Sequence, residues 1–151
     1  MANLIIEVKS ESATWAIAKR IGQRLRGQEV VELISDLGGG KTSFTRALSL
    51  GAGSKDQIRS PSFTIENIYT TSSELVIHHF DLYRLSSLGL VKNQFEEILT
   101  NKQAVIVVEW ADILKDVLPD KRLKIKFEVT SQNGRKLHFT YPSELAYLMK
   151  G

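Results

Sequence analysis

Val30-Val31-Glu32-Leu33-Ile34-Ser35-Asp36-Leu37-Gly38-Gly39-Gly40-Lys41-Thr42-Ser43 is the stretch whose reading decides the fold. It opens as an apolar run of strand type, and Phe44 to Leu50 continues it as a helix. Strand, glycine-rich turn, Lys-Thr and helix is the order in which a phosphate-binding P-loop is built. Glycines let successive backbone N–H groups turn inward around phosphate oxygens with no Cβ in the way. A helix starting near Gly40 adds the positive end of its dipole. Lys41 can reach the β- and γ-phosphates, and the Thr42 hydroxyl can complete the shell of a magnesium ion. Asp36, Leu37, Gly38, Gly39, Gly40, Lys41, Thr42 and Ser43 are therefore the expected nucleotide-binding set. The strict motif has glycine where this chain has Ser35, and a serine fits there if its φ stays negative.

Around this stretch the chain reads as one α/β domain. Leu4 to Val8 is a short strand, and Ser10 can cap a helix in which Ile17, Ile21 and Leu25 recur at helical spacing. Gly51 to Ser60 carries two glycines and mixed charge and reads as a loop. Ile65 to Thr70 and Leu75 to Phe80 read as strands joined by a turn at Thr71-Ser72-Ser73, and Lys92 to Leu99 as a helix. Ala104-Val105-Ile106-Val107-Val108 has the pattern of a strand buried on both faces. Lys121 to Thr130 and Arg135 to Tyr141 alternate around Asn133-Gly134, a hairpin signal, and Ser143 to Met149 closes the chain as a short helix. The expectation is a three-layer P-loop NTPase fold with a mixed sheet. Val30 to Ile34 and Ala104 to Val108 form its parallel centre, and the hairpins supply antiparallel strands toward the edges.

Composition narrows the setting. The 151 residues are 42 % hydrophobic, enough for a single domain with its own core. The absence of cysteine rules out disulfides and zinc–thiolate sites and suits a reducing cytoplasm. The N-terminus lacks the basic start and the length of a signal peptide, and no run approaches the roughly 18 apolar residues of a membrane span. A net charge of +3 and a pI near 9.2 permit acidic partners without demanding them.

Ligands in open α/β sheets sit beyond the carboxyl ends of the strands, and three chemical groups are expected there: the P-loop, Asp81 and Glu109. Glu109 ends an apolar strand, where P-loop enzymes place a second acidic motif. It can hold magnesium through water or orient an attacking water, and Asp81 is the other metal or water-positioning candidate. Either can also be a solvated carboxylate at a strand end. Ser60, Ser62 and Thr64 surround Pro61 and suit a switch-like loop that senses the γ-phosphate, although hydroxyl-rich turns are common. Trp110 can lie against the nucleotide or pack in the core. His78 and His79 point to opposite faces of one strand, cannot share a metal, and are read as structural. Lys121, Arg122, Lys124 and Lys126 are read as a solvated, aggregation-resistant edge, with an acidic or RNA partner as the alternative.

Asp-Leu-Gly-Gly-Gly-Lys-Thr, Ser-Pro-Ser-Phe-Thr, His-Phe-Asp-Leu-Tyr-Arg-Leu and Glu-Trp, in this order and spacing, resemble the TsaE (YjeE) family. These are small bacterial ATPases required for tRNA threonylcarbamoyladenosine synthesis. The resemblance runs from the first strand to about Leu118, and its most specific element is the run His79 to Leu85. It implies ATP and Mg2+ as cofactors, with Lys41 and Thr42 on phosphate and metal. Asp81 and Glu109 would match the acidic functional positions, Ser60 to Thr64 the switch-like loop, and Trp110 the neighbouring tryptophan. It further implies ATP hydrolysis in a larger complex with TsaD- and TsaB-type proteins, with any tRNA contact indirect. Ser35 replaces the family's usual glycine, Gly39 its usual alanine and Ser62 its usual threonine. Ser86-Ser87-Leu88-Gly89 stands where the family often carries an acidic helical run. Two other readings of the residues compete with a partner-regulated ATPase. One is a small-molecule kinase using Asp81 and Arg84; the other is a nucleotide-sensing module with little turnover. Guanine specificity is not expected, because Asn101-Lys102 is followed by Gln103-Ala104 and the Asn-Lys-x-Asp pattern is missing.

Overall fold

The computed structural model describes residues 1–35, 40–59, 66–82 and 89–150. They form β1 (Ala2–Val8), α1 (Glu11–Gln23), β2 (Val30–Ile34), α2 (Lys41–Gly51), β3 (Ser54–Arg59), β4 (Glu66–Thr71), β5 (Val76–Asp81), α3 (Gly89–Leu99), β6 (Ala104–Glu109), β7 (Leu123–Val129) and β8 (Arg135–Tyr141). Short 3-10 helices cover Ala111–Leu114 and Ser143–Met149. The strands make one eight-stranded sheet in the order β1-β8-β7-β2-β6-β5-β4-β3. The pairs β7–β2, β2–β6 and β6–β5 are parallel, and the outer pairs on both sides are antiparallel. This is the expected mixed sheet, with a parallel centre widened from two strands to four because each hairpin lends one of its strands to it.

Two apolar layers sandwich the sheet. On one face α1, α2 and the last 3-10 helix pack on Val31, Leu33, Ile77, Val105, Val107, Leu123 and Ile125, with Phe44 meeting Phe127 edge-on at 5.4 Å. On the other, α3 and Ala111–Leu114 cover Val30, Phe80, Ile106 and Val108, with Phe80 edge-on to Phe95 at 5.9 Å. Ala104–Glu109 is buried throughout, as a central parallel strand covered on both faces must be. Ser10 caps α1 as expected, accepting the Ala13 N–H at 3.2 Å. No helix among the described residues is long and apolar enough to cross a membrane.

Three local expectations are corrected. The segment read as a loop after α2 contains edge strand β3. Its Ser-Lys-Asp-Gln start has no apolar alternation, and the open edge of β4 recruits it through a register shift between Ser54 and Gln57. Strand β7 is not an edge: it lies between β2 and β8, and Lys124 pairs in register with Glu32. Lys124 and Lys126 instead face outward, opposite the buried Leu123, Ile125 and Phe127, while Arg122 is spent on Glu32 at 2.9 Å. The hairpin expected around Asn133-Gly134 does join β7 to β8, its loop tied by Thr130 N–H to the Gly134 carbonyl at 3.2 Å and by Gly134 N–H to Ser131 Oγ at 2.9 Å. The closing helix spans Ser143–Met149 as expected, in 3-10 form, whereas α3 begins earlier than expected, at Gly89.

Candidate nucleotide site

Side-chain alternation places the site. Leu33, Val107 and Ile77 all face the α1/α2 layer. Glu109 lies two residues beyond Val107, and His79 and Asp81 lie two and four beyond Ile77, so all three share that face. Parallel pairing then sets Glu109 opposite both Leu33 and Asp81. Helix α2 starts on the same side at the same end of the sheet. Gly40 caps it with φ 100°, a left-handed conformation that favours glycine, and its carbonyl accepts the Phe44 N–H at 2.9 Å. Lys41 and Thr42 therefore open the helix beside the ends of β2, β6 and β5.

Lys41 is held from two sides. It is buried, its Nζ donates to the Ser35 carbonyl at 2.8 Å, and the ammonium sits 4.0 Å from the centre of the Trp110 ring. Trp110 reaches it from a left-handed turn, φ 57° and ψ 50°, directly after Glu109, and packs its other side on the α3 layer. Of the two expectations for Trp110, packing in the core is met, and the ring also stands beside the lysine. A cavity of about 280 Å³ opens at this point, lined by Ser35, Lys41, Trp110 and Asp112 among others. Ser35 keeps φ outside the left-handed region, as the serine requires, since the non-glycine residues with positive φ among the described residues are Gln28, Glu74 and Trp110.

Glu109 departs from the picture of a solvated strand end. It is only 2 % exposed, and its carboxylate accepts a hydrogen bond from Nε2 of His79, itself 3 % exposed. Asp81 is half-buried beside it. His78 faces the opposite layer and bonds Glu66 through Nδ1 at 2.5 Å, so the two histidines do point apart. Glu66 also accepts from Gln94 of α3. Thr42 is exposed at the first turn of α2. Among the described residues no group of three His, Asp or Glu side chains closes on a common point. Thr42, Asp81 and Glu109 nonetheless supply hard oxygen donors of the kind magnesium takes, and magnesium commonly completes its shell with water and substrate phosphate. Asp36, Leu37, Gly38 and Gly39 of the loop, and Ser60, Ser62 and Thr64 beyond it, lie outside the described residues, as does Arg84.

A second part of the site was not expected. Trp15 Nε1 donates to Ser43 Oγ at 2.6 Å, and Ser43 donates to Glu11 at 3.1 Å. Next to this chain of bonds lies a cleft of about 260 Å³ lined by Glu11, Trp15, Gly40, Ser43, Asn133 and Arg135. Nothing in the pattern of α1 marks Trp15 and Glu11 as more than the outer side of an amphipathic helix. Only the packing of α1 on α2 brings them to Ser43.

Comparison with known proteins agrees with this geometry. The family model described as threonylcarbamoyl adenosine biosynthesis protein TsaE matches residues 8–137. A Rickettsia felis protein named tRNA threonylcarbamoyladenosine biosynthesis protein TsaE is 35 % identical over 130 residues, 85 % of this chain and 74 % of that one. The Bacillus subtilis protein of the same name is 34 % identical over 131 residues, 84 % of this chain and 78 % of that one. The crystal structure of Bacillus subtilis YdiB matches with a TM-score of 0.77 at 30 % identity, covering 98 % of this chain and 92 % of that one. With the strand–loop–helix order around Lys41 and the acidic strand ends beside it, this P-loop fold is accounted for: the chain belongs to the TsaE family.

Proposed function

We propose that this protein binds and hydrolyses ATP with magnesium in support of tRNA threonylcarbamoyladenosine formation, acting in the cytoplasm with TsaD- and TsaB-type proteins. The observation that carries the reading is the convergence of Lys41, Asp81 and Glu109 at one end of the parallel strands, on one face. Family membership supports the pathway, since its curated members are named for it.

In this reading the backbone N–H groups of the loop and the start of α2 bind the phosphates. Lys41 leaves the Ser35 carbonyl and the Trp110 ring for the β- and γ-phosphates, exchanging one set of electron-rich partners for another. Thr42, Asp81 and Glu109 are the residues that would hold magnesium, which would neutralise phosphate charge. Glu109 or Asp81 aligns the attacking water. The nucleoside takes the cleft beside Gly40 and Ser43, where the Trp15 indole offers an apolar wall and Glu11 and Asn133 a polar rim.

Calorimetry with ATP and magnesium tests the binding half. Lys41→Ala is expected to lose ATP affinity by tenfold or more while remaining folded. Unchanged affinity in a folded Lys41→Ala protein refutes the assignment. Hydrolysis and tRNA product measured with and without TsaD and TsaB test the rest. Turnover needing a small-molecule acceptor would favour a kinase, and binding without turnover in any mixture a nucleotide sensor.

A further inference from the structure

Glu109 poses a physical problem that its own strand does not solve. A carboxylate buried to 2 % exposure needs hydrogen-bond donors, and neighbouring Val107 and Val108 offer no side-chain donor. Strand β6 is apolar on both faces, so no side chain along it bonds the Glu109 carboxylate in place. The donor comes from the next strand. His79 lies on β5 in register with Val107, one step behind Asp81 on the same face, and its ring reaches across to Glu109. The ring is as buried as the carboxylate, and among the described residues its Nδ1 has no hydrogen-bond partner. A carboxylate oxygen only accepts, so the bond between them is made by a proton on Nε2.

We propose that His79 is a positioning residue for Glu109: its Nε2–H fixes one carboxylate oxygen and so aims the other at the phosphate end of the crevice. This rests on the hydrolytic reading above. A carboxylate that aligns water or reaches a metal through water acts only in a narrow range of orientations, and a single bond from a rigid, buried ring on the adjacent strand sets that orientation before nucleotide arrives. His79 does not touch the phosphates in this account. Removing it should therefore spare ATP affinity and lower the rate of the chemical step. A histidine present only for packing would show the reverse: lost stability with no selective effect on the rate.

The test compares wild type, His79→Leu, His79→Gln, Glu109→Gln and the His79→Leu/Glu109→Gln double variant in single-turnover ATP hydrolysis, within the same partner mixture. ATP affinity is measured on each by calorimetry. Glutamine places an amide N–H near the position of Nε2, whereas leucine fills the space with no donor. The expected result is that His79→Leu cuts the hydrolysis rate at saturating ATP by tenfold or more with affinity within about threefold. His79→Gln should recover most of the rate. His79→Leu should have no further effect once Glu109 is glutamine, because the histidine acts through the carboxylate. If His79→Leu proves too unstable to assay, His79→Gln against Glu109→Gln decides: a His79→Gln rate as low as that of Glu109→Gln overturns the proposal. It is also overturned by wild-type hydrolysis in His79→Leu, or by additive losses in the double variant. Failure of wild type itself to hydrolyse ATP overturns the hydrolytic reading first, and is seen before any variant is compared.

Discussion

Gly22 sits inside α1, where helix propensity alone recommends alanine by about 1 kcal/mol. The packing recommends the opposite. A Cβ at Gly22 would lie 2.9 Å from the Leu48 carbonyl carbon and 3.0 Å from Ala52 N, and nearer still to the Leu48 oxygen, whereas ordinary contact begins at 3.4 Å. Gly51 repeats the arrangement from α2, where a Cβ would stand 2.8 Å from the carbonyl carbon and the Cα of Lys19. The two helices thus approach backbone to backbone through paired glycines. No rotamer can relieve the clash, because the obstacle is main chain held in a helical ladder. The helices must part by about half an ångström at the carbonyl carbon and by more at its oxygen, in a core packed at crystal-like density. Overpacking costs about 1–3 kcal/mol, and a backbone obstacle belongs in the upper half of that range. After the helix-propensity gain, Gly22→Ala should lose about 1–2 kcal/mol. Urea denaturation should show a midpoint lower by about 0.5–1 M at unchanged slope. Gly51→Ala should behave alike, and the pair should cost less than the sum, since helices already parted admit the second methyl. A Gly22→Ala protein as stable as wild type would refute the close approach.

Three further outcomes follow from particular contacts. Ser35→Gly should lose about 0.5–1 kcal/mol in thermal denaturation, because Ser35 avoids positive φ and glycine adds only chain entropy to the unfolded state; a gain in stability would contradict this. Glu29, buried at the start of β2, accepts the N–H groups of Arg26 and Gly27 at 2.7 Å each and the Tyr147 hydroxyl at 2.5 Å. Glu29→Ala strands those donors and should cost about 2–4 kcal/mol by urea denaturation, with a loss below about 1 kcal/mol counting against the network. Burial, the hydrogen bond to Glu29 and the Glu29 charge together push the Tyr147 phenol well above its ordinary range. A folded pKa raised above the unfolded one gives stability that is complete below about pH 10 and lost as the pH rises beyond it. The advantage of wild type over Tyr147→Phe in urea should therefore shrink above about pH 10, and a constant difference would remove the phenol from the account.

What the sequence made legible is what short-range chemistry controls. The run Val30 to Ile34, the Gly-Lys-Thr turn and the β-branched Ala104 to Val108 each carry their own signal, and they appear as two central strands and the helix between them. Strand β3 has no such signal, since its conformation comes from the exposed edge of β4. The lysines of β7 alternate in the same way whether the strand is at an edge or inside, so only the pairing with β2 distinguishes the two. In the candidate site, the meeting of Lys41, Asp81 and Glu109 at one end of the sheet was legible because motif and strand end point to that place. Their partners were not. Trp15 lies 28 residues from Ser43 and His79 lies 30 from Glu109, distances along the chain over which no periodicity speaks.

The register of the central strands needs those long-range partners. Strand β6 is apolar on both faces, so sliding it by one residue would cost it little burial. The slide would still turn Glu109 from the α2 face to the α3 face and destroy the site. What resists it is polar: His79 of β5 meets Glu109 across the seam. His78 with Glu66 pins β5 on β4, and Arg122 with Glu32 pins the start of β7 on β2, so the neighbouring strands hold their own registers. A shifted β6 leaves the buried His79 and Glu109 without each other, a loss of about 1–3 kcal/mol by the cost of an unmade bond. Apolar burial holds this sheet together and is nearly indifferent to which residue of β6 turns toward α2. The choice falls to one buried hydrogen bond, made by the carboxylate to which the chemistry is assigned.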